Sequence, residues 1–294
     1  MFNQTTFNST PVLEFISSDC LATQIYFYIF FTILGYGSCL YSGKYGSVDT
    51  MWTVTPVIHA WICFYYAPSN YRILAICICC TLWAIRLSWR AVKIGLFFQF
   101  NHEDYRWKIV RDGLSPPSVK EKLFNLFYVN IYQYFELMCL AASAIFLTNS
   151  GFTSFIFTNN FDLAEYWLMD LAITVFWFIF FVGEAVSDHQ QQSFQTDPVR
   201  KPKYGFLQEG LYKISRHPNF FCEQAMWITL VFFTVSNIET SIMGFLVPLV
   251  LVAQLMITFH FSTDMTERIT CKKYPSYKEY QKKVSRLIPW LNCC

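Results

Sequence analysis

The sequence is poor in charge. Only 14% of its 294 residues are Asp, Glu, Lys or Arg, against about 25% in an ordinary soluble domain. Hydrophobic residues make up 54% and aromatics 20%, so one large soluble domain or two small ones are both excluded. Glycine is scarce, at 11 residues, and forms neither a GxGxxG turn nor a GxxxxGK[ST] loop. A nucleotide bound here is therefore not held in the Rossmann or P-loop manner. HExxH is missing as well. The first twenty residues lack Lys, Arg and a small-residue cleavage site, so the first apolar run is expected to be an uncleaved anchor rather than a signal peptide. No internal repeat or low-complexity segment stands out.

Cysteine is present, at eleven residues, yet most sit inside apolar runs (Cys39, Cys63, Cys77, Cys79, Cys80, Cys139), where Cys acts as a small hydrophobe. Cys77, Cys79 and Cys80 are too close together for a tetrahedral zinc site without a second cluster. No metal is expected. Cys293-Cys294 could carry S-acyl groups.

The expected fold is all-α, a multi-pass membrane bundle of about seven transmembrane helices, since crossing the hydrocarbon takes about 20 mostly apolar residues. The runs are Leu21 to Tyr41, Met51 to Ala67, Tyr71 to Ala91, Phe124 to Phe146, Ala164 to Val186, Phe221 to Asn237 and Ser241 to Phe261. Pro56 and Pro248 fall inside runs and read as kinks. Ile238-Glu239-Thr240 makes the last two runs a tight hairpin.

Lysine and arginine orient the bundle. They cluster at 92–123 (Lys93, Arg106, Lys108, Arg111, Lys120, Lys122), after the fifth run (Arg200, Lys201, Lys203, Lys213, Arg216) and in the tail from Arg268 to Arg286. The opposite side is nearly bare, with Arg72 standing alone there. The expectation is a lumenal N-terminus at 1–20, helices over 21–182, and a C-terminal region at 183–294 ending in the cytosol. Two glycosylation acceptors, Asn3-Gln4-Thr5 and Asn8-Ser9-Thr10, fall on the lumenal side.

Ionisable groups within apolar runs cost several kcal/mol unless paired or facing water, so each is a candidate site. They are Arg86 and Arg90, Glu136, Asp170, Glu184, Glu223, His59 and His260. Arg90, Glu184 and Glu223 lie near run ends and can snorkel. His59 and His260 read first as hydrogen-bonded core residues, and Arg86–Glu136 as a structural ion pair. The polar loop from Ser187 to Phe221 mixes Phe194, Tyr204, Phe206, Leu211 and Tyr212 with cations, a pattern suited to an anionic ligand with a flat base. In the tail, Tyr274, Tyr277 and Tyr280 share a helical face. That pattern fits equally an amphipathic helix whose Lys278, Lys282 and Lys283 meet acidic lipid.

Asp188-His189-Gln190-Gln191-Gln192, Gly210-Leu211-Tyr212, Ser215-Arg216-His217-Pro218-Asn219-Phe220-Phe221-Cys222-Glu223, Glu267-Arg268, Tyr274-Pro275-x-Tyr277-x-x-Tyr280 and Leu287-Ile288-Pro289 form an ordered set. That set resembles the steroid 5α-reductase superfamily, in its branch defined by a domain of unknown function. Val48-Asp49-x-x-Trp52, Leu82-Trp83-Ala84-Ile85-Arg86-Leu87 and Glu103-Asp104-x-Arg106 resemble the same branch more loosely. The resemblance implies a seven-helix oxidoreductase of the endoplasmic reticulum, with loops and tail closing a pocket for NADPH. It places Asp188, Asn219 and Glu223 at the nicotinamide and ribose. Arg216, Tyr274 and Arg86 go to phosphate or adenosine, with His217 and Tyr277 also among the cofactor-binding positions. Its reaction is hydride transfer to a carbon–carbon double bond conjugated to a carbonyl, in a lipid or steroid-like substrate of the membrane. Nucleic acid has no part.

Steroid reductases use a glutamate in the second span with a tyrosine in the third. Here the second run offers only His59, with Asp49 at its edge, so His59 and Glu136 are the catalytic candidates. Two alternatives stay open. One is an S-adenosylmethionine-dependent methyltransferase of the isoprenylcysteine or phospholipid type, which shares the Arg-His-Pro motif. The other is a non-catalytic lipid-binding protein.

Overall fold

The computed structural model describes residues 16–93, 103–148, 167–239 and 242–290. Every regular element among them is helical. Two compact units divide the chain: residues 1–170 with 230–252, and residues 171–229 with 253–294. The stretch 230–252 thus packs with residues 1–170.

In the first unit α1 spans Ser18–Ser42, capped by the Ser17 hydroxyl on the Cys20 N–H and closed by Gly43 at φ 67°. The short α2 (Gly46–Trp52) and α3 (Thr55–Tyr66) follow. Pro56 sits in the first turn of α3, where its missing N–H costs nothing. It therefore starts a helix and kinks none. α4 runs Tyr71–Lys93, then α5 Tyr105–Gly113 and α6 Val119–Phe124. A π-helix, Asn125–Tyr132, joins α6 to α7 (Gln133–Cys139) and α8 (Ala142–Ile145). α9 covers Trp167–Thr196, and most of it lies in the second unit. That unit continues with α10 (Arg200–Tyr204), a 3₁₀ turn at Gly210–Lys213 and the start of α11 (Pro218–Val231). A 3₁₀ helix, Phe232–Glu239, precedes α12 (Met243–Lys273), which contains Pro248, and α13 (Tyr277–Lys283) closes the chain.

Four of these helices, α1, α4, α9 and α12, are long and apolar enough to cross a membrane. The second, fourth and sixth apolar runs are helical but broken, at Thr53-Val54, at the π-helix and at the 3₁₀ segment. Outward-facing apolar surface agrees with lipid as the solvent: α1 exposes Ile25, Phe30 and Ile33, and α9 exposes Leu171, Phe176 and Ile179. The glycosylation acceptors, Cys293-Cys294 and part of the hairpin after Ile238 lie outside the described residues.

Arg72 does not stand alone. It is 0% exposed, its Nε donates to Asp170 Oδ2 at 3.0 Å, and its Nη1 donates to the Phe233 carbonyl and to Ser236 Oγ. Tyr71 donates to the same Asp170 oxygen at 2.5 Å. This buried ion pair ties α4, the start of α9 and the 3₁₀ helix together. The looser motifs serve the same unit. Asp49 accepts from Trp107 Nε1 at 3.0 Å, Trp52 Nε1 donates to Gln133 Oε1, and Glu103 accepts from Arg111 and from the Tyr45 N–H.

Candidate functional site

In the second unit α9 and α11 approach closely enough that a Cβ on Gly183 would lie 2.9 Å from Cys222 Sγ. One turn places Glu184 and Asp188 on the same face of α9, and another places Asn219 and Glu223 on the same face of α11. Glu184, Asp188 and Glu223 are buried, and Asn219 Nδ2 donates to Asp188 Oδ1 at 3.3 Å. The sequence named Asp188, Asn219 and Glu223 together, and the fold gathers them on two adjacent helices.

The tail meets the Arg-His-Pro loop through the backbone. Arg216 N–H donates to the Ser285 carbonyl, His217 N–H to Arg286, and Trp290 N–H to Ile214. Ser215 Oγ adds a bond to the Leu287 carbonyl at 2.6 Å. Loop and tail therefore form one structure over a separation of about seventy residues.

At its centre is Glu267, whose role sequence reasoning missed although the motif contains it. Arg216 reaches it twice, from Nε at 2.6 Å and from Nη2 at 3.1 Å. His217 Nε2 donates at 2.9 Å, Gln281 Nε2 at 2.7 Å and the Tyr277 hydroxyl at 3.5 Å. Arg216 Nη1 also caps the carbonyls of Gln281 and Val284. Arg216, His217 and Tyr277 thus spend their polar atoms on Glu267, which makes them the wall of the site.

Tyr274, Tyr277 and Tyr280 do share a face, though a turn separates the first from α13. All three pack on Phe206, with ring centroids 6.1, 4.8 and 5.5 Å away. Burial pushes the Tyr277 and Tyr280 phenols well above their ordinary range, and Tyr280 donates to the Tyr212 carbonyl at 2.5 Å. Lys278, Lys282 and Lys283 remain exposed. Gly205, at φ 77°, lets the Tyr274 ring lie where a side chain would otherwise project. Lys201 Nζ stands 5.8 Å from that ring and Lys273 Nζ 5.3 Å. Burial lowers the Lys201 pKa.

The remaining candidates lie in the first unit or on the surface. Arg86 is half-buried in α4. Glu136 and His59 are both 0% exposed, on α7 and α3. His59 Nδ1 is bonded to Gln24 Oε1 of α1, so His59 is a hydrogen-bonded core residue. His260 is not. It is exposed on α12, 3.8 Å from Asp264, because one more turn carries it away from the packed face. Among the described residues no group of His, Cys, Asp and Glu could hold a metal ion.

This all-helical architecture, with membrane-length helices and a loop stapled to its tail, defines the class of protein. The chain belongs to the family described as a protein of unknown function, DUF1295, whose match covers residues 36–284. It is also similar to an uncharacterized protein of the fission yeast Schizosaccharomyces pombe, 29% identical over 282 residues, which covers 87% of this chain and 76% of that protein. No solved structure matches it.

Proposed function

We propose that the protein is a membrane oxidoreductase of the steroid 5α-reductase kind, reducing a conjugated carbon–carbon double bond of a lipid or steroid-like substrate with NADPH. The observation that carries the reading is the hydrogen bond from half-buried Asn219 to buried Asp188, on the helices that also carry buried Glu184 and Glu223. Buried carboxylates accept hydrogen bonds, which suits the carboxamide NH₂ and ribose hydroxyls of a nicotinamide dinucleotide. The donor set fits that group. Tyr274 offers a flat face for adenine, and Lys201 and Lys273 beside it bring charge for phosphate. Since Arg216 is committed to Glu267, these lysines take the phosphate role first given to Arg216.

NADPH, when bound, supplies a hydride to the carbon remote from the carbonyl. The chain must then stabilise charge on the carbonyl oxygen and see a proton delivered to the neighbouring carbon. His59 and Glu136 are the buried groups proposed for that polar work. In this reading the broken runs also cross the bilayer, giving seven crossings in the endoplasmic reticulum, with a lumenal N-terminus and a cytosolic tail.

Protein purified in detergent is expected to be thermally stabilised by NADPH and not by S-adenosylmethionine. Stabilisation by S-adenosylmethionine alone would establish the methyltransferase reading, for which His217-Pro218 speaks. A response to neither would leave a lipid-binding role. Asp188→Ala and Asn219→Ala should each weaken the NADPH response while the protein still inserts into membranes.

A further inference from the structure

Among the buried polar atoms of the first unit without a hydrogen-bond partner are His59 Nε2 and Thr55 Oγ1 on α3, and the Tyr134 hydroxyl on α7. Each residue is 0% exposed. A dry, unpaired polar group costs more than a bond gains, so three together call for an explanation.

They sit on neighbouring helices. Helices α1, α3 and α7 pack against one another in every pairing. The His59 ring lies 6.3 Å from the Phe31 ring of α1. One turn along the same face, Gly35 has no side chain, and the Tyr134 phenol occupies the space a Cβ would take. Thr55 stands one turn before His59 on α3. The backbone is arranged for this too. The eight-residue π-helix Asn125–Tyr132 leads straight into α7 and ends two residues before Tyr134. Such helices are rare, usually a single turn, and recur at functional sites.

The chemistry of the ligand follows from the His59 tautomer. Gln24 Nε2 donates to the His59 carbonyl at 2.9 Å and to Cys63 Sγ at 3.1 Å, which fixes the Gln24 amide with Oε1 toward the ring. Oε1 can only accept, so His59 Nδ1 carries the proton and Nε2 presents a lone pair. A ligand here must donate to His59 Nε2 and can accept from the Tyr134 and Thr55 hydroxyls. A hydroxyl group does both; a ketone accepts from the two hydroxyls but leaves Nε2 unpaired, so His59 serves the proposed reduction only once Nε2 has taken up a proton. None of the three atoms is charged, so nothing among them offsets a charge on the ligand.

We propose that α1, α3 and α7 enclose a binding site for a neutral apolar alcohol, its hydroxyl held between His59 Nε2 and the hydroxyls of Tyr134 and Thr55. This does not rest on the reductase reading, and an assay without NADPH keeps the two separable. The probes are an alkyne-tagged photoreactive sterol with a free hydroxyl, a photoreactive long-chain alcohol and the methyl ether of each. Applied to the whole protein in detergent, one alcohol should label peptides of α1, α3 or α7, and that outcome tells a sterol from a straight chain. Its ether should label about five-fold less, as expected for one lost hydrogen bond.

Tyr134→Phe and Thr55→Val remove only an oxygen that bonds nothing in the chain. They should leave the melting temperature of the unliganded protein unchanged or raised, and each should cut labelling about five-fold. Ethers labelling as well as alcohols, labelling confined to lipid-facing residues, or labelling untouched in both variants would each overturn the proposal. So would a buried water alone, seen as no interior labelling with a lowered melting temperature in Tyr134→Phe.

Discussion

In the second unit Glu267 receives five donor contacts from Arg216, His217, Tyr277 and Gln281, while in the first unit His59, Thr55 and Tyr134 each keep a buried polar atom with no partner. Both regions contain residues that look catalytic on paper. The difference separates them. A polar group saturated by its own chain is architecture, because any ligand would have to displace bonds already made. A buried group left unsaturated in a well-packed bundle is positioned for something the chain does not supply. By that measure the Arg-His pair, the most recognisable part of the motif, holds loop to tail. The less recognisable α1–α3–α7 interior is where a ligand gains most.

The sharpest way to break the comparison is to break Glu267. Arg216→Ala should cost about 3–5 kcal/mol, since it strands a buried carboxylate as well as two backbone carbonyls. Thermal unfolding in detergent checks this, and a loss no larger than that of a surface variant would remove Arg216 from the architecture. Arg72→Ala in the first unit should be comparably severe, whereas the paired replacement Arg72→Met with Asp170→Leu should recover most of the loss. A smaller effect, about 1–3 kcal/mol, is expected for Gly205→Ala. A Cβ there meets the Tyr274 ring at 2.7 Å, and φ 77° is left-handed. Gly37→Ala, where nothing lies within 4 Å, is its control.

Asp49 gives a pH signature outside the four membrane-length helices. Burial pushes its carboxyl up to about 7, although the Trp107 indole N–H favours the ionised form. The folded state therefore holds the proton more tightly than the unfolded state, whose carboxyl titrates near 3.9. The stabilisation is fully present below the unfolded pKa and is lost as pH rises through about 7. The melting temperature of the wild type should fall between pH 5 and pH 8, and Asp49→Asn should flatten that fall. The smallest effect belongs to the exposed Lys282–Glu279 pair, 2.8 Å apart on α13. Glu279→Ala should leave the melting temperature unchanged, because solvent screens such pairs.

Much of the fold was legible in local pattern. Helix fills most of the described part of each apolar run, and the structure bonds Asn219 to Asp188, two residues that the motif groups. The errors have particular causes. Pro56 reads as a kink from hydropathy alone, but a proline in the first turn starts a helix. His260 sits in an apolar run yet faces outward, because a run that is hydrophobic all round does not say which face packs. Arg72 reads as an isolated cation until Asp170, 98 residues away, is brought beside it. The stretch 230–252 is apolar like its neighbours, and only packing assigns it to the first unit.

The sequence by itself determined the solvent and the class of structure. Long apolar runs and few charges are properties of neighbouring residues, and they leave helices in lipid as the economical solution. Only the tertiary structure decided which polar residues are spent and which are left available. Gln24 meets His59 across 35 positions and Arg216 meets Glu267 across 51. Whether a buried donor or acceptor is satisfied depends on such distant partners, and no local pattern in the chain carries that information.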